Sequence, residues 1–262
     1  MLCVERLHCL RAAHAGGGLE VWIRCGAPKL ATSPNQPDAM TDFQEQRINM
    51  VESQVRPSDV TDRRIIRAML EVPREAFVPE GMQALAYMDA AVPVTAPGDG
   101  AHRRCLLAPR TFAKLVQLAE VEPDAVVLDL GCATGYSTAV LAKLAKAVVA
   151  VECEGSLARR ASETLRQQHV SNAVVVEGPL EKGAPLHAPF DAVVLNGAVE
   201  SNPDTLLGQL KEGGRLVGVI ASGGVGRAQV WRRNGKLFDA RPVFDAGAGP
   251  LPGFARQIEF TL

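Results

Sequence analysis

Ala125-Val126-Val127-Leu128-Asp129-Leu130-Gly131-Cys132-Ala133-Thr134-Gly135 is the stretch on which the reading of this chain turns. Its first six residues are almost uninterrupted apolar sequence of strand length, the composition expected of a strand covered on both faces. The run enters a glycine-containing turn and then a helical stretch, Tyr136 to Leu144. Strand, glycine turn and helix in that order aim backbone N–H groups at a ligand beside a helix N-terminus. Glycine permits the tight turn and, lacking a side chain, lets a ligand come close. A second strand, Ala147-Val148-Val149-Ala150-Val151, ends in Glu152, 21 residues after Gly131. At that spacing a carboxylate can accept hydrogen bonds from both hydroxyls of a ribose.

A dinucleotide fingerprint requires Gly-x-Gly-x-x-Gly. Here Ala133 stands at the middle glycine, and Tyr136-Ser137 occupy the region of the last. That disfavours a nicotinamide dehydrogenase. Asp129 is unusual in a strand that should be apolar, and a carboxylate there suits a cationic ligand such as a sulfonium. Leu128-Asp129-Leu130-Gly131-x-x-x-Gly135 resembles motif I of the class I S-adenosylmethionine-dependent methyltransferases, and Val151-Glu152 resembles the acidic strand end that comes after it.

Outward from this unit the alternation continues. A helix over Ser156–Gln168, strands over Ala173–Glu177 and Phe190–Leu195, a helix over Pro203–Leu210 and a strand over Arg215–Ile220 are expected. Ala228–Arg233 and Lys236–Val243 flank Asn234-Gly235 and predict a β-hairpin; Ile258–Leu262 reads as a closing strand. Upstream, helices are expected over Asp42–Ser53, from a cap at Thr61 or Asp62 through Leu70, and over Arg110–Leu118. The fold class is therefore α/β: a Rossmann-like, mostly parallel twisted sheet with helices on both faces and a C-terminal antiparallel hairpin. Residues 1–39 carry breakers (Gly16-Gly17-Gly18, Thr32 to Asp38) and no period, so they read as a disordered upstream extension, with Met40 the natural start. Residues 40–120 form a helical, substrate-side segment and 121–262 the cofactor-binding core.

Composition narrows the function classes. The chain has 262 residues, a net charge of −1 and 47% hydrophobic residues, with no basic run beside interleaved aromatics. Neither nucleic acid nor membrane is the expected partner: Ala147–Val151 and Phe190–Leu195 are far short of the roughly 20 apolar residues of a span. Six cysteines without a Cys-x-x-Cys pair or a metal-ligand spacing point to reduced thiols in a cytoplasm, and no metal site is expected.

From Met40 to Leu262 the chain also resembles the protein-L-isoaspartate O-methyltransferase family. The matching stretches are Met50-Val51-x-x-Gln54, Val72-Pro73-Arg74-x-x-Phe77-Val78-Pro79, Ala86-Tyr87-x-Asp89, Gly135-Tyr136, Ala188-Pro189-Phe190-Asp191 and Leu210-Lys211-x-Gly213-Gly214-Arg215-Leu216-Val217. The resemblance implies protein repair: methyl transfer from S-adenosylmethionine to the carboxylate of an abnormal aspartyl residue in a protein or peptide, followed by collapse to a succinimide. It implies cofactor contacts at Asp129, Gly131, Cys132, Ala133, Thr134, Gly135, Glu152, Cys153, Gly178, Pro179, Leu180 and Asn196, with Ala198 facing the pocket. Leu107 and Pro109 would mark the substrate wall, with Leu107 and Asp129 at the catalytic end.

Four departures fall at this site. Leu106-Leu107-Ala108-Pro109 stands where the family has Ile-Ser-x-Pro, so Leu107 replaces the serine that touches the substrate carboxylate. Losing that hydroxyl removes a hydrogen bond worth roughly 1.5–3 kcal/mol, about 10–100-fold in rate. Pro97 to Arg104 is polar and basic in place of a Gly-Gln-Thr type; it reads as a solvated loop, with Arg103 and Arg104 available as a different carboxylate clamp. Gly178-Pro179 replaces a Gly-Asp pair that reads the adenine amino group, a contact of about 1–2 kcal/mol. Ala133 replaces a glycine, at about 1 kcal/mol if its φ is positive. These departures leave two alternatives open, a different methyl acceptor or a non-catalytic relative that binds S-adenosylmethionine.

Overall fold

The computed structural model describes residues 39–95, 103–222 and 225–255, which fall within one unit, Pro37–Leu262. The expectations for residues 1–38, for 97–102 and for the strand Ile258–Leu262 lie outside the described residues. In chain order the elements are α1 Ala39–Met50, α2 Arg63–Glu71, β1 Val92–Pro93, β2 Cys105–Leu106, α3 Pro109–Ala119, β3 Val126–Leu130, α4 Tyr136–Ala142, β4 Ala147–Glu152, α5 Gly155–Gln167, β5 Ala173–Glu177, β6 Phe190–Val199, α6 Asp204–Leu207, β7 Leu210–Ser222, β8 Val225–Asn234 and β9 Leu237–Asp245. Seven strands form one sheet in the order β5-β4-β3-β6-β7-β8-β9, parallel from β5 to β7 and antiparallel over β8 and β9. This is the Rossmann-like sheet with a terminal antiparallel hairpin.

The continuous apolar run of β3 has a direct cause. Val127, Leu128, Asp129 and Leu130 are all inaccessible to solvent, and successive residues serve opposite faces. Val127 joins a core with Phe112, Leu115, Tyr136 and Val140, whereas Leu128 and Leu130 join one with Phe190, Leu206 and Leu207. Helix α2 starts where Asp62 caps it, its side chain accepting from the Arg64 N–H at 2.8 Å, and it buries Ile65, Ile66, Ala68 and Met69.

Two elements depart from the pattern reading, both through tertiary pairing. Strand β6 runs on to Val199 because Ala198 and Val199 pair with Val219 and Ile220 of β7, and the chain after β9 returns beside its end. The Ala198 N–H donates to Gly249 O, and the Leu251 N–H to Ala198 O, each at 2.7 Å. The expected helix over Pro203–Leu210 shrinks to Asp204–Leu207 because Leu210 already pairs with Phe190 as the start of β7.

The chain builds β3, β4 and β5 outward on one side, then crosses to lay β6 against β3 on the other. The C-terminal ends of β3 and β6 therefore flank a topological switch point, the place where open α/β sheets take ligands.

Candidate functional site

At this switch point β3 leads into Gly131 (φ +72°), whose N–H donates to Val151 O at 2.8 Å, and β4 ends in Glu152. The Glu152 carboxylate is buried and fixed from several sides. Its Oε2 accepts from the Ala133 N–H at 2.7 Å, and its Oε1 from the N–H groups of Cys153 (3.0 Å) and Glu154 (3.3 Å). Ala133 sits at φ +51°, the left-handed backbone that glycine would adopt without strain. The turn tolerates it because its N–H is committed to Glu152.

Gly135 (φ +95°) opens α4, and its missing side chain makes room for α5. A Cβ there would meet Ala161 Cβ and Leu165 Cγ of α5, each at 3.3 Å. Thr134 turns away from the crevice, its hydroxyl donating to Phe77 O at 2.6 Å. Gly178 follows β5 and donates its N–H to Glu152 O at 3.0 Å, with open space where a Cβ would be. Pro179 then leads into a 3-10 turn, Leu180–Lys182, whose Leu180 is wholly buried. Cys132 is buried, and Cys153 is half-buried beside Glu152, where burial and then the neighbouring carboxylate push its thiol up to about 11.

Asp129 is enclosed by protein. Its Oδ2 accepts from Ser137 Oγ (2.7 Å) and Thr138 Oγ1 (2.6 Å) of α4, and its Oδ1 from Asn196 Nδ2 of β6. Burial raises its pKa to about 6, against the lowering effect of those three donors. Asp129 thus ties β3 to α4 and β6. Leu107 is buried with its carbonyl accepting from Arg74 Nη2 at 2.7 Å, and Pro109 occupies the first turn of α3.

A family model described as protein-L-isoaspartate(D-aspartate) O-methyltransferase matches residues 45–243. A protein-L-isoaspartate O-methyltransferase from Synechococcus sp. (strain JA-2-3B'a(2-13)) is 36% identical over 192 residues, 73% of this chain and 75% of that protein. One from Herpetosiphon aurantiacus is 35% identical over 211 residues, 80% and 92% of the two chains. The chain belongs to the protein-L-isoaspartate O-methyltransferase family. Two solved structures of that description agree in fold: one has a TM-score of 0.71 at 23% identity, covering 79% of this chain and 66% of that one. The other, from Plasmodium falciparum in complex with S-adenosyl-L-homocysteine, has a TM-score of 0.65 at 19% identity, covering 78% and 97%.

The family's nucleoside cofactor needs an acid for the ribose and a side-chain-free approach to the turn. Glu152 and Gly131 supply both, so the donor set fits. The space beside them is held by the protein itself. Arg104, read from sequence as part of a solvated loop, is 2% exposed; its Nη2 lies 3.1 Å from Glu152 Oε2 and 2.8 Å from Gly131 O. Only Arg103 of that pair is exposed. Ala198, expected to face the pocket, is instead covered by the returning segment 249–251, whose Leu251 closes over Gly131 and Gly197. What remains between Arg74, Leu107, Phe112, Gly131, Ala133 and Asn196 is a space of about 10 Å³, room for one water at most. Larger hollows of about 300 and 510 Å³ lie by Glu120, Asp191 and Arg215 and by Phe43, Arg47 and Leu70, and contain none of these residues.

Sequence reasoning also passes over Arg74. It is fully buried under α4, with its guanidinium carbon 4.6 Å from the Tyr136 ring centroid and its Nε donating to Ala86 O at 2.7 Å. The one available signal is its place in Val72-Pro73-Arg74, between residues that read as core.

Proposed function

We propose that this chain is an S-adenosylmethionine-dependent carboxyl methyltransferase that methylates isoaspartyl residues of proteins, a repair activity. The observation that carries the reading is Glu152, a carboxylate held at the tip of β4 beside the Gly131 turn, in a chain that belongs to the isoaspartyl methyltransferase family. A bound sulfonium cofactor supplies an electrophilic methyl group. Glu152 would accept from the ribose hydroxyls, with Gly131, Cys132 and Ala133 lining the turn and Gly178 leaving an open face toward the base. Asp129 and Asn196 brace the strand ends from below.

The acceptor needs no general base, because a carboxylate is already ionised at neutral pH and nucleophilic as it stands. The protein's contribution is to hold the acceptor in line and to exclude water. Leu107, with Pro109 behind it, gives that wall an apolar face in place of a hydroxyl. Among the described residues no helix is long and apolar enough to cross a membrane. A cytoplasmic location is our reading, supported by the free thiols of Cys105, Cys132 and Cys153.

The test is incubation of the full chain with methyl-labelled S-adenosylmethionine and an isoaspartyl peptide. Base-labile methyl esters are expected on the isoaspartyl peptide and not on its normal aspartyl counterpart. Incorporation no greater than with heat-killed protein would reject the assignment.

A further inference from the structure

The Arg104–Glu152 pair occupies the place that the methyltransferase reading gives to a ribose, and any role for Arg104 in ligand binding rests on that reading. The two side chains are 3% and 0% exposed. A Cβ on Gly131 would lie 2.7 Å from Arg104 Nη2 and 2.8 Å from Leu251 Cδ2, so both sides of the glycine's free face are already filled. On the other side of the turn, between Arg74, Leu107 and Asn196, the hollow holds about 10 Å³. A ribose cannot lie against the free face of Gly131 while Arg104 and Leu251 stay where they are.

Three features make Arg104 exchangeable. Its Nε is buried without a partner, a standing penalty that departure relieves. It precedes β2, part of a ladder of two-residue strands outside the seven-stranded sheet, and Arg103 beside it is exposed. Glu152 does not depend on Arg104 for its position, because the N–H groups of Ala133, Cys153 and Glu154 hold both carboxylate oxygens. When the guanidinium leaves, a carboxylate remains already aimed and in want of donors.

We infer that Arg104 is a specificity-determining occupant of the nucleoside seat. Guanidinium and ribose hydroxyls exchange on Glu152, and affinity for S-adenosyl nucleosides is set by how readily Arg104 is displaced. Only molecules with Arg104 withdrawn are competent to bind, so the apparent Kd rises as that fraction falls.

Calorimetric titration of the full chain with S-adenosylhomocysteine tests this on wild type, Arg104→Ala and Arg104→Gln. Both variants should bind at least roughly tenfold more tightly than wild type. A merely structural arginine would instead give unchanged or weaker binding, and that result in a variant with a native circular dichroism spectrum overturns the inference. Should Arg104→Ala fail to fold, Arg104→Gln and a crystal structure of the wild-type complex decide it. The guanidinium is expected off Glu152 in that complex, and a nucleoside seated with Arg104 still bonded to Glu152 overturns the inference. Equal binding by all three proteins removes the occupant and leaves the methyltransferase reading intact; binding by none removes both.

Discussion

Among the described residues two arginines are buried, and they are held in opposite ways. Arg74, beneath α4, gives its Nε and Nη2 to the carbonyls of Ala86 and Leu107 and lies over the Tyr136 ring, with no carboxylate among those contacts. Arg104, at the tip of the sheet, gives its Nη2 to a carboxylate and to the carbonyl of the glycine turn. Backbone carbonyls deep in a core have no alternative partner, so Arg74 is part of the fold. A carboxylate at a switch point can accept from ligand hydroxyls in place of a guanidinium, so Arg104 is a tenant. Burial and charge are nearly the same in the two regions, and the nature of the acceptor separates them.

The largest effect should come from the first region. Arg74→Met leaves two buried carbonyls without donors, at roughly 1–3 kcal/mol each, and removes the cation over Tyr136. A loss of about 4 kcal/mol is expected in urea unfolding, and saturating S-adenosylhomocysteine should not restore it preferentially. A loss below about 1 kcal/mol would erase the distinction between the two arginines.

Asp129 extends the contrast to a buried acid whose partners are all protein. Its folded pKa of about 6 lies above the usual value of 3.8, so the folded state holds the proton more tightly than the unfolded one. The resulting stability is fully present below about pH 4 and is lost as the pH rises through about 6. The difference in unfolding free energy between wild type and Asp129→Asn should therefore shift by about 2 kcal/mol between pH 4 and 7, against wild type at the higher pH. Parallel stability curves for the two proteins would show that Asp129 titrates normally.

Legibility in the sequence divides along the same line. The strand–turn–helix unit and Glu152 are readable because local pattern decides them: an apolar run, a glycine and an acid at the next strand's end. Arg104 is not, because an arginine beside Gly100, His102 and Arg103 reads as solvated chain, and only the folded sheet brings Glu152 to it. Leu251 is invisible for a similar reason. Its contact with Gly131 comes from the return of residues 249–251 to β6, a pairing with no local signature. The glycine turn itself is plain in the sequence, but the packing of α5 against Gly135 is not.

Leu107 belongs to the Arg74 region, although the family resemblance puts a substrate-touching serine at its position. The residue is 5% exposed. Leu107→Ser removes buried apolar volume and adds a hydroxyl, at about 2 kcal/mol in unfolding free energy. The Kd for S-adenosylhomocysteine should stay within about twofold, because Glu152 and Gly131 are untouched. A tenfold change in that Kd would mean that the two regions are energetically one.

The smallest effect should come from Ala133, whose N–H donates to the same Glu152 oxygen as Arg104 does. At φ +51° its methyl group strains the turn, and Ala133→Gly relieves that strain at the cost of greater freedom in the unfolded chain. These terms oppose one another, so a net gain of about 0.5 kcal/mol is expected in thermal or urea unfolding. The N–H to Oε2 bond survives the substitution, so the seat on Glu152 keeps its aim and Arg104 remains its occupant. A loss of stability would mean that the methyl group of Ala133 contributes packing worth more than the strain of its left-handed backbone.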